Sequence, residues 1–511
     1  MNGWNVATAL AVGLTVMSPT AMAAENSLNA GDFNLTEYAS VSNGYLVVDV
    51  PMGAPPGSYG ASAILDLTPY ERCALGASVR IAGENIAPTG NMCHGLKFMM
   101  HFKSAATGLD CWPDITRPTG SFAFTTFEMN DSLSGEMRSP TGSLFLGLQS
   151  TSGKAIFDLK SLKIVSGPSI YPHTNETYVI RYPTSVLSAS RRRGVMLPAL
   201  PCTEEDIRTL GEWGVTLARY QMVDAPRPEQ GEDRKAYLLR YRDWLDGKLD
   251  HLEQRMIPWA APYDIRFVVD LHTVPGGSEN GESRIFHDTG YADAFVGVWR
   301  RIARRCCKLK GIYGYDLINE PNQLRKATTD YWNLQRRAAE AVREIDSKTP
   351  IIMEANVMDS PSGFGYLSPL AMDNVIYQVH MYEPYDYSHQ GVHGEKGFVR
   401  IAYPTALHDR AYLEKMLKPV RDFEARHKAK IYVGEFSASA WAPGADRYIA
   451  DCISIFENYG WDWTYHAFRE WPGWSVEHEP VKEGVSSDCF SPSTDNPRKR
   501  ALLAGLKGPG K

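Results

Sequence analysis

From Arg193 to the carboxyl end, the sequence alternates short apolar runs with longer helical patterns. No other feature restricts the fold as much. Eight runs have strand character: 194–196, 215–219, 265–271, 313–318, 351–353, 375–379, 431–433 and 463–468. They are short and rich in β-branched and aromatic residues, which suits buried strands. Helical patterns fill the gaps at 204–213, 234–256, 292–308, 328–346, 408–427 and 445–459. Strands that alternate with helices build parallel βαβ units, and eight such units in about 320 residues predict an α/β fold, a closed (β/α)8 TIM barrel. A doubly wound sheet is the alternative, but no glycine-rich nucleotide fingerprint follows the first strand.

The preceding region, 25–170, has a different pattern. Alternating runs at 44–50, 74–81, 96–102, 122–127, 143–149 and 153–159 are separated by Gly, Pro, Ser and Asn clusters. Many short strands with turn signals and no helical period predict a β-sandwich, jelly-roll-like, ahead of a barrel spanning 185–511. The stretch from Leu146 to Ile164 resembles the closing strands of jelly-roll carbohydrate-binding modules. Trp112, Phe127 and Tyr59 could then form a sugar-stacking face, and a purely structural domain packed on its neighbour fits equally well. Residues 166–183, with Pro168, Pro172 and Pro183, read as a linker or an edge segment.

A chain of 511 residues exceeds one ordinary domain, which agrees with two. Its net charge is −6 and its one basic cluster, Arg191 to Arg193, is short, so no nucleic-acid partner is expected. Residues 1–23 read as an export signal, with a small apolar run from Thr8 to Met17 and the pattern Ala21-Met22-Ala23 before a cleavage point, although no Lys or Arg precedes the run. That run is too short for a membrane span, so the mature chain is expected to be secreted or periplasmic, without a membrane span. The eight cysteines permit disulfides but show no metal-ligand spacing, and adjacent Cys306 and Cys307 read as buried thiols in a helix.

Two of the runs end in a way that points to chemistry. The apolar run 313–318 stops at Asn319-Glu320-Pro321, where the proline cannot donate to a sheet ladder. The run 431–433 is followed by Gly434 and Glu435. Each places a carboxylate at the carboxyl end of a buried strand, the rim where barrels of this class put their chemistry. Two such carboxylates suit glycoside hydrolysis, in which one carboxyl donates a proton and the other attacks or activates water.

Several motifs in order, each at a strand end, resemble glycoside hydrolase family 5, the retaining cellulase and mannanase family of (β/α)8 barrels. They are Arg193 to Leu197 on strand one, Trp213 to Gln221 with Arg219 on strand two, and Asp270 to Gly277 with His272 on strand three. Ile318 to Asn322 follows on strand four, Gln378 to Pro384 with His380 and Tyr382 on strand six, and Val433 to Phe436 on strand seven. The resemblance implies that Glu320 is the general acid/base and Glu435 the nucleophile. It implies that Asn319 holds a sugar 2-hydroxyl, that Arg219 keeps Glu435 ionised, and that Tyr382 hydrogen-bonds Glu435. His272 and His380 would line the same pocket. Glu320 has no obvious cationic neighbour in its motif. Strand eight departs from the family, which usually places a tryptophan platform at its end. His466 stands there, leaving Trp471 or Trp474 to supply the platform. Tyr385, Tyr387, His389 and Trp441 could shape the cleft or simply pack loops.

The function this implies is exported retaining β-glycoside hydrolysis of a β-linked polysaccharide or oligosaccharide, a β-1,4-glucan by family frequency, with β-mannan and other β-glycans open. No cofactor and no metal are expected, since no HxH or HExxH arrangement closes a strand. A carbohydrate-binding protein on an inactive barrel is the non-enzymatic alternative, and it would have no need of Glu320, Glu435, Arg219 and Asn319 together.

Overall fold

The computed structural model describes residues 28–508 except 29, 69–74, 90–93, 105–109, 116–117, 132–137, 167–176, 280–281, 324–326, 366 and 393–399. The expected export signal at 1–23, and Cys73 and Cys93, lie outside the described residues. The chain divides into two compact units at about residue 172.

The first unit is a sandwich of two five-stranded antiparallel sheets. One sheet runs Asn34–Leu35, Ser58–Asp66, Arg138–Gln149, Gly95–Ser104, Asp110–Cys111, and the other Ala39–Ser42, Tyr45–Val50, Gly153–Ser166, Leu75–Ile86, Gly120–Asp131. Successive side chains of a strand point to opposite faces, so Leu46, Val48 and Val50 enter the core while Tyr45 and Asp49 face out. Leu96, Phe98 and Met100 meet them with Leu144, Leu146, Leu148 and Phe157. The three expected sugar-stacking rings do not form one face. Phe127 belongs to the second sheet, and both it and Tyr59 pack against the core. Trp112 is 55% exposed and stacks on His101 at 3.8 Å.

The second unit is the expected closed barrel of eight parallel strands. In order they are Arg193–Met196, Leu217–Gln221, Arg266–Asp270, Ile312–Asp316, Ile351–Glu354, Val375–Met381, Lys430–Phe436 and Asp462–Tyr465. Strand eight pairs with strand one through Trp463 and Arg193, which closes the ring. Full burial on both faces explains why these runs are apolar throughout rather than alternating. Residues 178–182 are part of this unit rather than a linker. Tyr182 donates to the Val375 carbonyl at 2.6 Å, accepts from Lys430 N–H at 2.7 Å, and packs with Tyr313 on the interior residues Leu217, Ile352 and Tyr432.

Some boundaries differ from the sequence expectation. Strand two starts at Leu217, two residues late, so Arg219 is inside the strand and fully buried. Strand eight stops at Tyr465, and 466–468 bond instead to Phe436 and Met196. The expected helix 408–427 is two, Arg410–Met416 and Lys418–His427, with Pro419 in the first turn of the second, a position where its missing N–H costs nothing. The basic cluster is structural: Arg191 and Arg193 pair with Glu457 at 2.8 and 2.7 Å, and Arg192 pairs with Asp264 at 3.0 Å. Cys306 is buried, and Cys202, Cys306, Cys307, Cys452 and Cys489 are free thiols. No helix among the described residues is long and apolar enough to cross a membrane.

Candidate active site

At the carboxyl ends of the strands, polar side chains from strands three, four, five and seven converge on one guanidinium, supplied by strand two. Arg219 donates to Glu435 Oε1 at 2.6 Å, Asn319 Oδ1 at 2.9 Å and Glu354 Oε1 at 3.1 Å. It also lies 2.9 Å from Asp316 Oδ2 and 3.2 Å from Asp270 Oδ2. Burial opposes charge on Arg219, but the surrounding carboxylates outweigh it and raise its pKa well above the ordinary value.

The sheet itself aims Glu435. Strands six and seven shift register between Val379–Val433 and His380–Glu435, so Gly434 is the extra residue of a bulge. A Cβ on Gly434 would stand 2.4 Å from Gln378 Cδ, which explains the glycine. Tyr382 Oη donates to Glu435 Oε2 at 2.7 Å, so both carboxylate oxygens are held. Burial disfavours the charge, but His380, His466, Arg219 and His272 together hold this carboxyl well below the usual carboxylate range.

Glu320 adopts a left-handed backbone, φ +45°, unusual for a residue with a Cβ. The loop after strand five maintains it. Glu354 Oε2 accepts from Glu320 N–H at 2.6 Å, Asn356 Oδ1 from Gln323 N–H at 2.7 Å, and Met358 N–H donates to the Pro321 carbonyl at 3.1 Å. His380 Nδ1 lies 2.9 Å from Glu320 Oε1, a hydrogen-bond partner that the Glu320 motif itself does not reveal. Nearest carboxyl oxygens of Glu320 and Glu435 lie within 4.8 Å of each other.

The remaining expected residues fall around this pair. His272 Nδ1 is 2.8 Å from Asp270 Oδ2, whose charge outweighs burial and raises the imidazole pKa. His466 Nδ1 is 2.8 Å from Tyr382 Oη. Trp474 is buried beside them, 5.7 Å from the His466 ring and 6.5 Å from Tyr382. Trp471 stands behind Trp474, edge-on to it, to Trp441 and to Phe490, with its N–H on the Val485 carbonyl. Tyr385 is 47% exposed and stacks on His389, which meets Tyr382 edge-on. Tyr387 packs on Tyr403 and Tyr448, and Trp441 Nε1 bonds the Gln390 carbonyl, so both support loops.

Sequence reasoning missed Asp270, Asp316, Glu354, Asp359, Gln378 and Glu470. Its signal was present: Asp270, Asp316 and Glu354 each end an apolar run, as Glu435 does. Burial, opposed by Arg219 and aided by Asp270, pushes Asp316 up to about 6. Burial and acidic neighbours push Glu354 and Asp359 well above the carboxylate range. Among the described residues, three possible metal ligands converge twice, at Glu320–His380–Glu435 and at Glu354–Asp359–His380, but Arg219 already bonds an oxygen of Glu435 and of Glu354. Glu435 and Glu354 share that guanidinium.

A family model described as cellulase, glycosyl hydrolase family 5, matches residues 188–470. Endoglucanase C of Acetivibrio thermocellus is 26% identical over 319 residues, covering 55% of this chain and 88% of its own. Cellodextrinase A of Ruminococcus flavefaciens is 24% identical over 252 residues, covering 46% of this chain and 68% of its own. A solved structure of Thermotoga maritima Cel5A, a mutant form in complex with cellobiose, has a TM-score of 0.46 and 19% identity over 62% of this chain and 96% of that one. The family match runs from before strand one to just past strand eight, more than half of the chain, so the chain belongs to glycosyl hydrolase family 5 and is a glycoside hydrolase.

Proposed function

We propose that the chain is an exported retaining β-glycosidase that cleaves a β-1,4-glucan by double displacement. The observation that carries this is the carboxyl pair: an oxygen of Glu320 lies within 4.8 Å of an oxygen of Glu435, and Glu435 is held between Arg219 and Tyr382 with its pKa lowered. Retaining enzymes hold their carboxyls at about 5–5.5 Å, and inverting ones need roughly 6.5–9.5 Å to admit a water.

In the first step a Glu435 oxygen bonds the anomeric carbon while the glycosidic C–O bond breaks, and Glu320 gives its proton to the departing oxygen. In the second, Glu320 takes a proton from water, the water oxygen bonds the anomeric carbon, and Glu435 leaves as a carboxylate. Asn319 Oδ1 accepts from Arg219, which turns the amide N–H₂ toward a sugar hydroxyl. Asp270 accepts from His272 Nδ1–H, leaving Nε2 for another hydroxyl. His380 orients the Glu320 carboxyl. Endoglucanase C and cellodextrinase A among the relatives support a cellulose-type substrate, and the Ala21-Met22-Ala23 pattern supports export.

Two measurements test this reading: sizing products from β-glucans, mannans and xylans, and following anomeric configuration by NMR. Glu320→Ala should still attack an aryl glycoside whose leaving group needs no proton, then stall until azide releases a product of retained configuration. Glu435→Ala should be inactive on every substrate. Inverted product from the wild type, or near-normal turnover by Glu435→Ala, would overturn the assignment.

A further inference from the structure

His466 occupies the place at the end of strand eight where the family usually has an aromatic platform, and its two ring nitrogens have different partners. Nδ1 is 2.8 Å from Tyr382 Oη. Nε2 is 2.8 Å from Glu470 Oε2. Glu470 is itself held by Gln221 Nε2, 3.2 Å from its other oxygen.

A proton inventory follows from these contacts. Tyr382 Oη carries one hydrogen, and Glu435 Oε2 at 2.7 Å takes it, because an ionised carboxylate can only accept. Tyr382 Oη therefore accepts from His466, which requires hydrogen on Nδ1. Nε2 stands at an ion-pair distance of 2.8 Å from the Glu470 carboxylate, whose negative charge favours a proton on that nitrogen as well. Burial lowers the basicity of His466, but Glu470, Glu435 and Glu320 outweigh it and raise its pKa, while His466 in turn lowers that of Glu470 against burial. Both protons therefore belong to the imidazole.

We propose that His466 is an imidazolium, paired with Glu470, that acts through Tyr382 as a positioning residue for Glu435 and sets the alkaline limit of the second chemical step. This rests on Glu435 being the nucleophile. In that step Glu435 leaves the anomeric carbon as a carboxylate, and the hydrogen of Tyr382 Oη stabilises the charge as it forms. When His466 loses a proton, Glu470 retains the one on Nε2, and the bare Nδ1 competes for the Tyr382 hydrogen. Glu435 Oε2 then loses its donor. The groups that bias this switch are Glu470 and Trp474 from the loop after strand eight, Tyr382 and His389 after strand six, Glu435 on strand seven, Glu320 after strand four, and His272, which acts on Glu470.

The test uses the intact chain and a dinitrophenyl glycoside, whose departure needs no acid and makes the second step limiting. Wild-type kcat should fall on the alkaline side by about ten- to hundredfold, the cost of one hydrogen bond to a charge. Glu470→Gln should move that fall to lower pH. His466→Gln, a donor that does not titrate, should lower kcat less than His466→Phe and remove the alkaline fall. Imidazole NMR of the wild type, with His466 assigned by its loss in His466→Gln, should show a titration above the ordinary histidine value that moves down in Glu470→Gln. A wild type with no alkaline fall up to pH 10, a limit unmoved in both Gln variants, or a neutral His466 at pH 6 would overturn the proposal. Near-normal turnover by Glu435→Ala would instead overturn the assignment beneath it.

Discussion

Replacing Arg219 with methionine tests the central ion cluster. Arg219 is fully buried and bonds or pairs with Glu435, Asp316, Asn319, Glu354 and Asp270 at 2.6 to 3.2 Å. Removing one partner of a buried ion pair costs about 3–5 kcal/mol, because the other charge is left uncompensated. At about 2–4 °C per kcal/mol, the barrel transition in calorimetry should drop by roughly 10 °C at pH 7. The sign of the pH dependence is fixed by Glu435. Its depressed folded pKa contributes stability that is present above the unfolded value and lost as pH falls through the folded one. Without Arg219, Glu435 and the aspartates should take up protons more readily, so the deficit should shrink on going from pH 7 to pH 4. Turnover of an aryl glycoside should fall by about 10²–10³ or more, as for other lost transition-state charge contacts. Arg219→Lys should retain part of the stability but little activity, since an ammonium cannot span the same fork of acceptors. A loss below about 1 kcal/mol at pH 7, or a deficit unchanged at pH 4, would refute this account of the cluster.

Two other predictions use the neighbours of Glu435. Gly434→Ala places a Cβ 2.4 Å from Gln378 Cδ, so it should destabilise the barrel by about 1–3 kcal/mol by overpacking, and adding Gln378→Ser should restore part of that in urea unfolding. Asp316, Glu354, His272 and His466 all have raised pKa values in the fold, and each contributes stability present below its unfolded pKa and lost as pH rises through the folded one. Asp316→Asn should therefore make the change in urea midpoint from pH 4 to pH 7 less downward than in the wild type, and an unchanged slope would contradict the arrangement.

The strand–helix alternation after Arg193 determined the barrel, because hydrophobic period and strand burial are local properties that survive without neighbours. The same holds for the places of Glu320, after a run stopped by a proline, and Glu435, after an apolar run and a glycine, and for the sandwich, whose two-residue alternation is visible in Tyr45–Val50. Partners were not legible. Arg219 sits 216 positions from the oxygen it holds on Glu435, and no spacing rule reaches across strands that far apart. The register shift that makes Gly434 a bulge exists only when strand six lies alongside. Glu354 stands just past the apolar run 351–353, and only packing places it under the Glu320 backbone, where burial raises its pKa. His466 was visible as a departure from the family, but its two protons follow from three-dimensional distances to Tyr382 and Glu470. Local chemistry specifies which residues lie on strands, whereas closure of the barrel decides which charges meet, because only closure brings the ends of different strands together out of water.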